Sequence, residues 1–243
     1  MARAATTQRT EAGSTAQPTA GSWKDRVVER SLGKATLRSL DRGHAFIGAA
    51  LVLLDRSNGD GFKVEDVAEE AGESVRCFYR HFASKDDLLL AVLEEAMERY
   101  AASITAVVEP FDEPLDRLAA ALFGAVRLPH RNKPGVNVGL SRLHLKLAEV
   151  DPAKVGAARE PVSFLMRSVV EEAARADVVD ALAPEASAYM LMALTATHVL
   201  NQTLGNEFGL RMPTDEEHVA FCLHGLNATL PSGWPERFRA VGQ

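Results

Sequence analysis

Residues 74–92 read SVRCFYRHFASKDDLLLAV, and this stretch places Arg76, Tyr79, Arg80, His81 and Lys85 within ten residues of one another. Guanidinium, phenol, imidazole and ammonium groups all donate hydrogen bonds, and the cations among them attract anions. Together they suit the holding of phosphate oxygens rather than bond-breaking. Two readings stand for such a set: a solvated face ahead of a core helix, or a surface that grips a nucleic acid backbone. Lys85 favours the second. A cation in the first turn of a helix opposes the helix dipole. A phosphate at the same helix end turns that liability into a contact.

Other constellations are weaker. Cys77 reads either as a redox-sensitive thiol on the same helix or, more simply, as a small side chain where a threonine would serve. His218 and Cys222 are four residues apart, with His224 nearby, but no third ligand follows at helical spacing, so no metal is expected. Gly72-Glu-Ser-Val-Arg76 has part of a nucleophile elbow without its final glycine or a preceding strand. With no acid–base pair and no phosphate-cradling glycine loop, neither an enzyme nor a cofactor is expected.

The elements that must position these residues are helical. Ala45, Phe46, Ala49, Ala50, Leu53 and Leu54 form one stripe, which Asn58-Gly-Asp-Gly61 ends. Residues 64–71 form a short second helix, stopped at Gly72 because glycine accepts positive φ. Ser74 caps a third short helix reaching about His81. Ser84 caps a long fourth helix whose stripe runs Leu88, Leu89, Val92, Leu93, Ala96, Met97 and Tyr100. Pro114, Pro152 after Asp151, and Pro184 mark further starts. The helix after Pro184 reads YMLMALTATHVL, apolar nearly all round and therefore expected to be buried on several sides. Thr214 to Glu217 form a capping box before a last helix reaching Leu230. About nine helices and no strand emerge, an all-α chain.

Composition agrees. Of 243 residues, 47% are hydrophobic and 25% charged, a globular balance with a real core. Two cysteines exclude a disulfide framework and fit a reducing cytoplasm. No run nears the roughly 18 apolar residues of a membrane span, so no membrane association is expected. The N-terminus lacks the apolar core of a signal peptide, so export is not expected. Charge is uneven. Residues 1–45 carry eight Lys or Arg against four acids, although the whole chain has a net charge of -6. Residues 1–22, rich in Ala, Thr, Ser, Gly and Gln, read as disordered. Lys24, Arg26, Arg30, Lys34 and Arg38 then make a basic arm expected to order on DNA, or else a solvated extension of the first helix.

Two short helices joined through Ala-Gly-Glu-Ser have the dimensions of a helix-turn-helix, whose second helix enters a major groove. The pattern Ala68-x-x-Ala71-Gly72-x-Ser74, then Phe78-Tyr79-Arg80-His81-Phe82-x-Ser84-Lys85-Asp86-x-Leu88-Leu89, resembles the DNA-binding region of TetR-family transcriptional regulators. It covers about residues 40–90. The resemblance implies that Tyr79, His81 and Lys85 bind phosphates, that Phe82 packs the small domain, and that Val75, Arg76 and Cys77 face the groove. Lys63, Ser74 and Arg80 complete the expected DNA-binding set. Three positions differ from the family's usual pattern: Arg76-Cys77 at the start of the reading helix, Val64 opening the second helix, and Glu73 in the turn. Arg76 can reach guanine O6 and N7 bidentately or hold a phosphate.

In the middle helices Phe123, Leu143, His144, Phe164, Met166, Met190, Thr195, His198 and Gln202 mix aromatics, flexible Met and a few polar groups. Each alone reads as core; as a group they suit an apolar effector pocket. The resemblance also implies a homodimer formed by the last two helices, with small residues Ala186, Ser187, Ala188, Ala193 and Ala196 and then Leu223 and Leu226. The expected organisation is a flexible basic arm (1–37), a three-helix DNA-binding domain (38–86), a helical effector-binding and dimerisation domain (87–231) and a C-terminal tail (232–243). The expected function is a repressor released from a palindromic DNA operator by a small apolar effector. The alternatives are a ligand-independent regulator or activator, and a helical lipid or small-molecule binding module.

Overall fold

The computed structural model describes residues 23–57, 61–180, 183–206 and 209–242, with side chains from residue 39 onward. The disorder expected for residues 1–22 lies outside them. The chain divides into two units, one ending at Asp41 and the other beginning at Arg42. In the first, helix α1 (Trp23–Ser57) begins far ahead of the apolar stripe at Ala45. The stretch expected as a flexible arm is therefore helical backbone from Trp23. Its Lys, Arg, Glu, Ala and Leu all favour helix, and no proline interrupts them.

The second unit continues through α2 (Val64–Glu70), α3 (Val75–His81), α4 (Lys85–Val108) and α5 (Pro114–Arg127). A 3-10 turn, Leu128–Arg131, leads to α6 (Pro134–Val150), α7 (Pro152–Ala158) and α8 (Glu160–Arg175). Helices α9 (Pro184–Leu204) and α10 (Asp215–Gly225) complete the set. The protein is all-α: among the described residues there is no strand. The starts follow the sequence signals. Pro114, Pro152 and Pro184 occupy first-turn positions. The Asp151 side chain accepts from the Lys154 amide, and Thr214 and Glu217 form a reciprocal capping box.

Apolar side chains gather around two main centres. One joins Phe46, Leu54, Phe78, Phe82, Leu88 and Val92 from the N-terminal helices. The other fills the body between α4, α5, α8, α9 and α10 with Ile104, Leu118, Leu122, Phe123, Met166 and Leu223. Helix α4 supplies residues to both, so it connects the helix-turn-helix to the helical body.

Three expectations need correction. Residues after 231 are not a tail. Phe238 is fully buried, stacked 5.3 Å from Phe111 and 5.6 Å from Phe123, with Trp234 beside it. Arg127 binds the carbonyls of Phe238 and Val241, and Arg237 pairs with buried Asp116 at 2.6 Å. Trp234, Phe238 and Val241 follow helical spacing, which is the sequence signal for this docking. The last helix stops at Gly225 rather than at Leu230. Asn227 takes φ +55°, and the amides of Asn227 and Ala228 close back on His224 and Leu223. Helix α9 is buried along one stripe only, Ala188, Leu191, Thr195 and His198, while Tyr189, Met190 and Leu194 are exposed. A helix packed on neighbours from one side hides only that side, however apolar the rest.

Phe238→Ala should cost about 3–5 kcal/mol, the range for emptying a buried aromatic site. Chemical denaturation monitored by circular dichroism measures it, and truncation after Pro231 should destabilise further.

Candidate nucleic-acid interface

The helix-turn-helix is built by local chemistry. Helix α2 opens with the Lys63 amide donating to Asp66 at 2.6 Å. It closes at Gly72, which takes φ +66° while the amides of Gly72 and Glu73 return to Glu69 and Ala68. Such paired closing bonds define a glycine stop. Ser74 then caps α3, its hydroxyl accepting from the Cys77 amide at 3.1 Å. Ser84 caps α4 in the same way through Asp87.

Within α3 the helical period sorts the side chains. Cys77 and Phe78 are buried. Phe78 meets Phe46 edge-on at 5.5 Å and Phe82 at 5.7 Å. Ser74, Arg76, Tyr79 and Arg80 are exposed, and Val75 and His81 are half-buried. Arg76, Tyr79 and Arg80, at i, i+3 and i+4, form one outward strip. Cys77 is thus corrected from a groove-facing residue to a core residue, only 3% exposed. Cys77, Phe78 and His81, at i, i+1 and i+4, share the inward face of α3, while Tyr79 falls outside it. His81 sits with Nδ1 2.9 Å from the Cys77 carbonyl oxygen and its ring 5.9 Å from Phe46, which fixes the end of α3.

Lys85 has a structural task that sequence reasoning missed. Its ammonium donates to the Phe62 carbonyl and lies 4.3 Å from the centre of the Phe62 ring. The α1–α2 connection is thereby pinned to the start of α4. Lys63 stands exposed at the opening of α2.

The acids of this region have local structural partners. Residues 38–90 hold seven Lys or Arg against ten acids. Several of those acids are engaged. Asp66 and Asp87 cap backbone amides, Glu70 holds Arg56 at 2.6 Å, and Glu73 holds Arg42 at 3.2 Å. The unusual Glu73 in the turn is therefore an ion-pair partner of α1.

The residues expected to line an effector pocket do not gather in one place. Phe123 and Met166 lie in the filled body core, whereas Leu143 belongs to the N-terminal core. Phe164 and Met190 point outward, 60% and 58% exposed, and are corrected accordingly. His144 is half-buried, its pKa lowered first by burial and then by Arg159. Two solvent-open hollows of about 360 and 430 Å³ are lined by Arg211, Pro213, Glu217, His218 and Phe221, and by Glu171, Ala174, Arg175, Pro184 and Glu185. Neither includes an expected effector residue.

Thr195, His198 and Gln202 do converge, on a polar cluster between α9 and α10. The His198 and His218 rings stack at 4.4 Å, only 8° from parallel. Thr195 Oγ1 is 3.2 Å from His218 Nε2, and Gln202 bridges Asp215 to His130. Asp215 also accepts from Arg127, whose guanidinium bonds Glu216 and lies over the Phe123 ring. His198 Nε2 stands 3.7 Å from Asp215, an electrostatic contact beyond hydrogen-bond reach. His198, followed by Gln202 and Arg127, pulls the Asp215 carboxyl down to about 2 against its own burial. Burial, reinforced by the neighbouring His198, lowers His218 to about 4, while Asp215 opposes. Burial raises the Cys222 thiol to about 11, which leaves it protonated and inert near neutrality. Two parallel imidazoles do not aim their lone pairs at one point, so the geometry does not suit a shared metal.

Residues 46–92 match the family model for bacterial regulatory proteins of the tetR family. The HTH-type transcriptional regulator YwcC of Bacillus subtilis (strain 168) is 47% identical over 51 residues, 21% of this chain and 23% of that protein. The chain therefore matches less than a quarter of that relative's length. The fatty acid degradation regulator FadR from Bacillus halodurans superposes with a TM-score of 0.64 at 16% identity, over 77% of this chain and 97% of FadR. AibR, solved in complex with isovaleryl coenzyme A and operator DNA, gives a TM-score of 0.53 at 18% identity, covering 76% of this chain and 97% of AibR. At these identities the solved structures establish the shared fold.

The lowered His218 pKa has a defined sign. The native state favours the neutral ring, so this contribution is complete above pH 6.5 and is lost as the pH falls towards about 4. Denaturant melts between pH 7 and pH 4 should show wild-type stability declining across that window, and His218→Gln should flatten the decline.

Proposed function

We propose, for a chain whose residues 46–92 belong to the tetR family of bacterial regulatory proteins, that it is a homodimeric transcriptional regulator acting as a repressor. It binds a palindromic operator and leaves it when a small apolar effector binds the body. The carrying observation is the outward strip of Arg76, Tyr79 and Arg80 on a capped helix held rigidly by its own core. A short helix presenting such donors from a helix-turn-helix fits a major groove, with base edges read near its N-terminus.

Arg76, second in α3, is assigned to base edges, with Val75 beside it. Tyr79, Arg80 and His81 are assigned to phosphates, as are Lys63 and the backbone at Ser74. Lys85 anchors the Phe62 loop first and serves the DNA backbone from that position. The basic residues between Lys24 and Arg38 extend the same electrostatic role along neighbouring DNA.

The body, from residue 87 through the docked C-terminal segment, takes effector binding and dimerisation. FadR's name concerns fatty acid degradation and AibR was solved with isovaleryl coenzyme A; a compound with an apolar portion is assigned to this body by the same reading. Its polar end is assigned to the Thr195, His198 and Gln202 cluster. The outer faces of α9 and α10 offer Tyr189, Met190, Leu194 and Phe221 for the partner protomer. Leu223 and Leu226 are buried inside their own chain and so lie behind that surface.

Duplexes selected from a random pool by the full chain should be palindromic, with affinity falling steeply as salt rises. Arg76→Ala should cost about 1–3 kcal/mol at one base pair of each half-site and relax specificity there, while Lys85→Ala should weaken all sequences alike. Competition binding across operator variants separates the two patterns, and salt-independent binding would contradict the assignment. For the interface, Phe221→Glu should give monomers in sedimentation without loss of helix content, because the side chain is exposed within its own chain.

A further inference from the structure

Helix α6 lies against the last turn of α1 more closely than side chains permit. A Cβ added at Gly139 would stand 2.9 Å from the Leu54 Cβ and 3.1 Å from its carbonyl oxygen. One added at Gly135 would collide with the carbonyl and carboxylate of Asp55. Packed carbons settle at roughly 3.5–4.0 Å, so only glycine allows this approach. Four residues apart, the two glycines share one face of α6. Leu143, one turn further on, continues that face and is buried among Phe46, Phe78 and Leu88. Lys133, just before α6, stands 3.8 Å from Asp55 at the mouth of the seam.

The rest of α6 is engaged with the body. It packs against α4, α7 and α9, and the preceding 3-10 turn is tied to α9 through His130 and Gln202 at 2.8 Å. Among the described residues, the DNA-reading end is thus joined to the body along α4, which is continuous, and across this glycine seam. A single rod leaves freedom to pivot about its own axis. A second attachment removes it.

We infer that Gly135 and Gly139 are positioning residues for DNA recognition: by seating α6 directly on Leu54 and Asp55, they set where the reading helix stands relative to the body. In a dimer the same placement sets the separation of the two reading helices, and therefore the half-site spacing that is accepted. The inference rests on the regulator reading above.

The test uses full-length protein and the duplex that the wild-type chain selects, with versions in which the half-site spacing is changed by one base pair. Gly139→Ala and Gly135→Ala should lose on the order of tenfold in affinity at the wild-type spacing, comparable to a mismatched base pair. They should also lose or shift the preference among spacings, while their salt slope stays unchanged. Gly156→Ala is the control, because an added Cβ there meets nothing within 4 Å. Alanine ordinarily strengthens a helix relative to glycine. Wild-type affinity and spacing preference in both seam variants would therefore overturn the inference. Should alanine at either glycine prevent folding, Asp55→Ala removes the seam's ion pair without adding bulk. It should blur the spacing preference, and an unchanged preference would overturn the inference. A wild-type chain that selects no duplex would overturn the regulator reading and this inference with it, a result distinct from wild-type binding with unaltered variants.

Discussion

The edge-to-face packing of Phe78 on Phe46, with Phe82 closing the third side, governs the DNA-binding end of the molecule. Helix α3 has seven residues, too few to be stable alone in water. It persists because one face is anchored in an aromatic core and both ends are closed, by the Ser74 hydroxyl and by the Phe82 amide returning to Phe78. Once Phe78 is fixed inward, the helical period leaves Arg76, Tyr79 and Arg80 outward. Recognition chemistry here is the complement of core packing: the side chains available for DNA are those that Phe78 leaves outside.

The same economy appears in the electrostatics. The unit has more acids than bases, and several of its carboxylates serve local structure, Asp66 and Asp87 as helix caps and Glu70 and Glu73 as partners of arginines on α1. Each such pair is exposed enough to contribute little stability by itself. Their collective effect is to keep negative charge bound to partners while the α3 strip stays cationic.

In the body, Arg127 plays the corresponding part. Its guanidinium reaches Asp215 and Glu216 at the start of α10, binds the carbonyls of Phe238 and Val241, and lies over Phe123. Helix α5, helix α10 and the C-terminal segment therefore meet at one largely buried cation. Removing one member of such a set strands charges inside the protein, so these elements stand or fall together. The neighbouring histidine pair extends that polar seam between α9 and α10, and Gln202 carries it from Asp215 to His130 on the turn before α6.

Local features of this molecule were legible in the sequence because they depend on residues close along the chain. Helix starts at Ser74, Ser84, Asp151 and Thr214, the glycine stop at Gly72 and the all-α class follow from capping chemistry and periodicity. So does the cluster of phosphate-binding residue types around α3. Tertiary packing decided what periodicity leaves open, namely which side of an apolar helix finds a neighbour. Cys77 shares the inward face of α3 with Phe78, and Phe164 and Met190 are exposed because, among the described residues, no helix covers them. Lys85 was claimed by a carbonyl 23 residues away, and Glu73 by an arginine on another helix. Trp234 and Phe238 close the core because the body leaves room for them between Phe111 and Phe123, and that room is made by helices more than a hundred residues earlier in the chain. Gly135 and Gly139 look like helix defects in a linear reading. Only the approach of Leu54 and Asp55 shows why any larger residue would be excluded: two backbones meet there, and the space for a side chain is a property of the pair.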